Sequence, residues 1–194
     1  TLGPATQMAA NAVEWRMGNY WTALQEAAAS DMFRSSDPMD QELVSVRDEI
    51  AQRNGFLYTG KMDADGFSST GYSYAEEDYF QQCKTTMQPY ISDIMNDGQQ
   101  MIFLLEVPII TNGRFDGIVY GGIRADLLSG IVVDLSMGRD GVAYVLDHRG
   151  NVIGHRDASI VESGSNMIET AKTDPSVADV AAVNQRMLQG ETGF

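Results

Sequence analysis

An α+β fold, with a long N-terminal helix leading into small antiparallel sheets, is what this chain of 194 residues predicts. Three observations carry the expectation. Apolar residues recur at helical spacing through roughly the first 33 positions. The pattern then switches to strand-like runs separated by Asp/Asn-Gly turns. The connections between those runs are short, and short connections join antiparallel neighbours.

The long helix rests on Met8, Val13, Met17, Trp21, Leu24, Ala28 and Met32, which fall at spacings of three to five with no proline after Pro4. A second helix is expected from Ser36 as N-cap, with Pro38 in the first turn, Leu43, Val46 and Ile50 as the buried stripe, and Gly55 as the stop. Phe56 to Met62 reads as a strand, closed by a turn at Asp63-Ala64-Asp65-Gly66. Tyr74 to Lys84 reads as a short helix and Tyr90 to Met95 as a short strand. Gln100 to Ile110 and Gly117 to Ala125 read as longer strands, joined at the hairpin signal Asn112-Gly113. Asp126 to Leu135 is a helix that connects to a second unit starting near Gly138. There, Gly141 to Leu146, the turn Asp147 to Gly150, and Asn151 to Gly154 form a hairpin, followed by helices around Met167 to Lys172 and Val177 to Leu188.

Composition narrows the function. Thirteen Lys+Arg against 27 Asp+Glu give a net charge of −14, which argues against nucleic acid or an anionic membrane surface as partner. One cysteine, Cys83, excludes an intrachain disulfide and a cysteine-based zinc site, and two histidines leave little for a metal centre. The longest apolar run, Met101 to Ile110, is broken by Glu106 and is too short to span a bilayer. No secretory leader pattern opens the chain. It begins inside a helical pattern and ends at Gly190-Glu191-Thr192-Gly193-Phe194, as a turn entering a strand, and so reads as a piece of a longer protein.

No catalytic signature is present: no G-x-S-x-G, H-E-x-x-H, P-loop or G-x-G-x-x-G. The acidic triplet Glu76-Glu77-Asp78 opens a helix, where the dipole favours negative charge, and consecutive residues there point in different directions. Asp63 to Gly66 lacks the third acidic residue and closing glutamate of a calcium loop and reads as a hairpin turn. Tyr72, Tyr74, Tyr79, Phe80 and Tyr90 flank one helix and open one strand, so they either line a common cavity or pack as core.

The ordered series Tyr79-Phe80-Gln81-Gln82, Pro89-Tyr90-Ile91-Ser92-Asp93, Val107-Pro108-Ile109 with Asn112-Gly113, Gly117 to Ile123, and Gly141 to His155 resembles double Cache (dCache) sensor domains, as does the Gly190 to Phe194 ending. The resemblance covers nearly the whole chain. It implies the extracytoplasmic part of a bacterial transmembrane receptor with a chemotaxis, histidine kinase or diguanylate cyclase output. It also implies an N-terminal helix over 1–35, a membrane-distal PAS-like module over 36–136 that holds the ligand, and a membrane-proximal PAS-like module over 137–194, incomplete here. It implies a small-molecule ligand, no cofactor or metal, no enzymatic activity in this segment, a homodimer through the N-terminal helix, and membrane attachment only through flanking segments.

Amino-acid-binding members of that family carry an Arg that grips the ligand carboxylate, a Trp beside it, and a later Asp for the ammonium. Aligned through Tyr79-Phe80, the Arg position is Glu77 here, the Trp position Tyr79, the first Tyr falls on Tyr72, the Tyr-x-Asp on Tyr90 and Ser92, and the late Asp on Gly122. The aromatic wall survives, while the carboxylate clamp and the ammonium acceptor do not. The expected site is therefore Tyr72, Glu77, Tyr79, Phe80, Tyr90, Ser92, Glu106, Tyr120 and Gly122. The expected ligand is an amine held by Glu77 and Glu106 beside aromatic faces, or a neutral molecule if Glu77 points to solvent. A module that binds a protein partner or merely transmits a signal is the alternative.

Overall fold

The computed structural model describes residues 2–135 and 142–191. The expected module start near Gly138, the first residue of the Gly141 strand and the Thr192–Phe194 end lie outside them. The chain divides into two compact units. One runs from Trp15 to Arg124; the other comprises residues 125 onward and the N-terminal residues up to Glu14, so the boundary falls between Arg124 and Ala125.

The predicted single helix is two. Helix α1 spans Leu2–Ala29, and the chain then turns at Ser30, whose side chain accepts from Phe33 N to start α2, Asp31–Ser35. A cap hydroxyl competing for the backbone outweighs the continuing apolar period. Ser36 ends α2 instead of starting the next helix. Helix α3, Gln41–Asn54, begins at Asp40, whose carboxylate accepts from Glu42 N, and ends at Gly55 in the left-handed region. Its buried stripe runs through Leu43, Arg47 and Ala51, with Val46 and Ile50 only half-buried at its edge.

Strands β1 (Tyr58–Asp63), β4 (Met101–Thr111) and β5 (Arg114–Arg124) form an antiparallel sheet with the short strands β2 (Tyr90–Ile91) and β3 (Met95–Asn96), in the order β1-β5-β4-β2, with β3 also on β4. The β4–β5 turn is Asn112-Gly113, with φ of 53° and 75°, the conformation a two-residue hairpin needs to match the strand twist. The expected Tyr90–Met95 strand is interrupted because Ser92 turns its hydroxyl onto the backbone: Ser92 Oγ accepts from Leu104 N and donates to Asp93 O, both at 2.8 Å.

The two faces of this sheet differ. Phe56 lies over Gly121 and stacks against Tyr20 of α1 at 4.7 Å, and Thr59 donates to Arg47 O of α3, so the helices cover one face. Lys61, on the same face, is buried and donates to Ser36 O at 2.6 Å. The opposite face carries Met62, Ile102, Leu104, Ile118 and Tyr120, and helix α4, Asp78–Thr86, covers it with Phe80 and Cys83. Phe80 meets Phe115 edge-on at 5.8 Å. Burying a phenylalanine here stabilises by about 3 kcal/mol.

In the second unit, α5 (Asp126–Leu135) packs on the hairpin of β6 (Tyr144–Leu146) and β7 (Val152–His155). Asp147 closes the hairpin turn through Arg149 N and Asn151 N. Helices α6 (Ala158–Glu162), α7 (Met167–Thr170) and α8 (Ala178–Leu188) follow, the first not anticipated from the sequence. Asn166 caps α7 and donates to Arg149 O, tying it to the turn. Tyr144 Oη donates to Asn184 Oδ1 at 2.7 Å, and Asn184 is 1 % exposed.

Candidate functional site

The α4-covered face of the sheet carries the candidate site. The strand register sets Tyr90, Glu106, Tyr120 and Gly60 side by side in one row across β2, β4, β5 and β1. Directly opposed residues in adjacent strands share a face with Cβ atoms about 5 Å apart, so these four positions form a continuous band under α4. The next row is Leu104, Gly122 and Tyr58. The two glycines make room for rings. Tyr120 lies over Gly60 and Tyr58 over Gly122, where a Cβ would stand 2.6 Å from Tyr58 Cζ. The two tyrosine rings meet edge-on at 6.4 Å.

Glu106 is the exception within this apolar band. It is 0 % exposed, and among the described residues neither Oε1 nor Oε2 finds a hydrogen-bond partner. Burial alone pushes its carboxyl up to about 8. A carboxylate left without donors in low dielectric disfavours its charged form. The Cys83 thiol is pushed up to about 12 by burial and then by Glu106, so Cys83 of α4 is in electrostatic reach of the same carboxyl.

A cleft of about 320 Å³ opens beside this row, lined by Glu77, Asp78, Tyr79, Tyr90, Asp93 and Met95. Glu77 stands at the N-cap of α4 and makes no side-chain capping bond, so its carboxylate is available at the rim. Tyr79 is half-buried; burial, then Glu77, then Glu106 hold its hydroxyl well above the usual phenol range. Its ring is therefore in electrostatic reach of both the rim and the buried carboxyl. Tyr90 lines the cleft and is the direct cross-strand partner of Glu106.

The residues picked out from the sequence thus separate. Glu77, Tyr79 and Tyr90 line the cleft, and Glu106 and Tyr120 continue its row inward. Phe80 is wholly buried in the adjoining core, with Lys84 Nζ 5.5 Å from its ring centre. Ser92 is buried with its hydroxyl committed to backbone. Gly122 serves Tyr58, and Tyr72 is 70 % exposed and lines no part of the cleft. Asp78, Asp93 and Met95 were missed, as was Tyr58. Asp93 belongs to the irregular stretch between β2 and β3, and Met95 opens a strand of only two residues, too short for a periodic pattern to point to a face. Tyr58 would have followed from pairing Gly122 with a bulky residue across the strands. Among the described residues, no three His, Cys, Asp or Glu side chains group as a metal site.

The family model for the Cache domain, dCache_1, matches residues 3–193. The chain belongs to the dCache family of Cache domains. No curated protein sequence matches it significantly. Among solved structures it is similar to an extracellular ligand-binding receptor from Desulfohalobium retbaense, with a TM-score of 0.71 and 18 % identity, covering 87 % of this chain and 33 % of that one. This chain therefore spans only a third of that receptor's length. It is similar to the extracellular domain of mmHK1S-Z3, described as a histidine kinase (TM-score 0.71, 13 % identity, 97 % of this chain and 78 % of that one). It is also similar to the ligand-binding domain of the Pseudomonas aeruginosa amino acid chemoreceptor PctC in complex with GABA (TM-score 0.64, 16 % identity, 86 % and 78 %). At such identities the likeness establishes the fold. Cache sensor domains of chemoreceptors and histidine kinases bind small ligands outside the cell, and such sensor domains belong to membrane receptors. Among the described residues of this chain, no helix is long and apolar enough to cross a membrane.

Proposed function

We propose that this dCache domain is the extracytoplasmic ligand-sensing part of a bacterial receptor, and that it binds an amine at the α4-covered face of the Trp15–Arg124 unit. In that reading this unit is the membrane-distal module and the later unit the proximal one. The observation that carries it is Glu106, a fully buried carboxyl without partners, one cross-strand neighbour inward from a cleft rimmed by Glu77, Asp78 and Asp93. An ammonium is the ligand group that such a carboxyl lacks, and the Tyr79 and Tyr90 faces suit it through cation–π attraction. The described lining carries three carboxyl side chains and no arginine, a set that suits a cationic group better than a carboxylate. The ligand-bound relatives lend the general mode, a small molecule held by a Cache domain.

Binding would act on output by favouring one of two arrangements of α4 and the sheet. Dimerisation along α1 in the membrane-tethered receptor is consistent with Met8 and Trp15, one heptad apart and 65 % and 68 % exposed. A thermal-shift panel of amines, amino acids, dicarboxylates, sugars and neutral alcohols tests the ligand class. A ligand at a hundred times its Kd adds about 2.7 kcal/mol, which is several degrees for a domain of this size. Amines should stabilise the domain, and Glu77→Ala should weaken the shift. Stabilisation by dicarboxylates alone, undiminished in Glu77→Ala, overturns the amine reading.

A further inference from the structure

We propose that an amine entering this site displaces a proton from Glu106, so that the sensor reads amine concentration weighted by the ambient pH. This rests on the amine reading above and adds the protonation chemistry of its anchor.

The argument begins from the surroundings of the carboxyl. From α4, Tyr79 and Cys83 lie within electrostatic reach of it; Tyr90 of β2 and Tyr120 of β5 are its cross-strand partners; and Tyr74, in the loop before α4, packs on the same core. Burial raises the Tyr79, Cys83 and Tyr120 groups, so these three stay neutral at physiological pH. The cleft residues Glu77, Asp78 and Asp93 bring no cation to the carboxyl. Two cations border the cluster and are turned elsewhere. Lys84 donates to Ala64 O at 2.8 Å and lies against the Phe80 and Phe115 rings, and Arg47 donates to Ser69 beside the Tyr120 hydroxyl. Among the described residues Glu106 has no donor and no counter-ion, so without a ligand it keeps its proton.

An ammonium changes that balance. Its N–H groups supply the donors that both carboxyl oxygens lack, and its charge stabilises the carboxylate. The O–H bond of Glu106 then breaks, its proton leaves to solvent, and an N–H···O⁻ contact takes its place. The net charge buried at the site remains zero. A neutral ligand has no such effect, so proton release separates the two ligand classes that the cleft alone leaves open.

The experiment is calorimetry of the purified domain with butylammonium, 1,4-diammoniobutane and neutral 1-butanol as probes, in buffers of contrasting ionisation enthalpy. The expected result is release of close to one proton per bound ammonium near neutral pH. The apparent Kd should fall about tenfold per pH unit between about pH 6 and 8 and level off above that, because alkyl ammonium groups stay charged well past this range. Glu106→Gln should abolish the release and flatten the profile. Glu77→Gln should weaken the affinity and its salt dependence while leaving the release intact, since the proton comes from Glu106 and not from the rim. Ammonium binding without proton release, or release that persists in Glu106→Gln, overturns this proposal and leaves the amine reading standing. Binding of butanol in preference to the ammonium probes, or no binding of either ammonium at millimolar concentration, overturns the amine reading and the coupling together.

Discussion

Replacing Glu106 with Gln should stabilise the ligand-free domain relative to the parent, by an amount that grows with pH. The unfolded chain presents an ordinary glutamate with a carboxyl near 4.5, whereas the folded chain holds the same group near 8. Below about pH 4.5 both states carry the proton and the substitution has a constant effect. Between 4.5 and 8 the folded state retains a proton that the unfolded state has lost, so the parent loses stability as pH rises, by about 1.4 kcal/mol per unit. Above 8 both states are ionised and the slope disappears. A span of about 3.5 units corresponds to at most about 5 kcal/mol, concentrated in one buried side chain. Glutamine keeps the shape without the ionisation, so the penalty vanishes in the variant. The difference between the two proteins isolates it, because every other titrating group is shared. Urea denaturation at several pH values measures that difference. From about pH 5 to 7.5 it should widen by about 3 kcal/mol in favour of the variant, or roughly 6–12 °C in Tm. A gap that stays constant across that range would mean that Glu106 titrates as an exposed carboxylate, and the burial argument would fail.

Other outcomes follow from the same packing. Gly60→Ala should destabilise by about 1–3 kcal/mol in urea unfolding, since the new methyl meets the Tyr120 ring and forces it out of the row. Phe80→Ala should cost about 3–5 kcal/mol, because α4 loses its central contact with Phe115 and the sheet. In the second unit, Tyr144→Phe should cost about 1–3 kcal/mol by calorimetry, because the buried Asn184 Oδ1 loses its donor. Asn166→Ala should cost about 1–2 kcal/mol, through the lost α7 cap and the lost tie to Arg149 O.

Local chemistry was legible wherever a single residue type carries it. Asn112-Gly113 announced its hairpin because few pairs adopt two positive φ angles, and Gly55 announced a helix end for the same reason. Helix boundaries were less legible where two caps compete. Ser36 suited an N-cap by residue type, yet Ser30 and Asp40 are the residues whose side chains meet a backbone amide, with Phe33 and Leu43 buried behind them. Arg47 interrupts a stripe read as apolar because its guanidinium finds Ser69, 22 residues away, and periodicity carries no record of that contact.

The sequence by itself determined the α+β class, the family, the strands that pair through short turns, and the acidic, aromatic character of the region around α4. These follow from local propensity, turn stereochemistry and the order of motifs along the chain. Only the tertiary structure decided which of those residues meet. It put Phe80 and Ser92 into the framework and left Tyr72 in solvent. It also seated Tyr58 over Gly122 and aligned Tyr90, Glu106 and Tyr120 in one row. The reason is register: a shift of one residue between β4 and its neighbours would turn Glu106 to the opposite face of the sheet. A carboxylate's charge state depends on burial and partners, which are properties of that register and not of the residue.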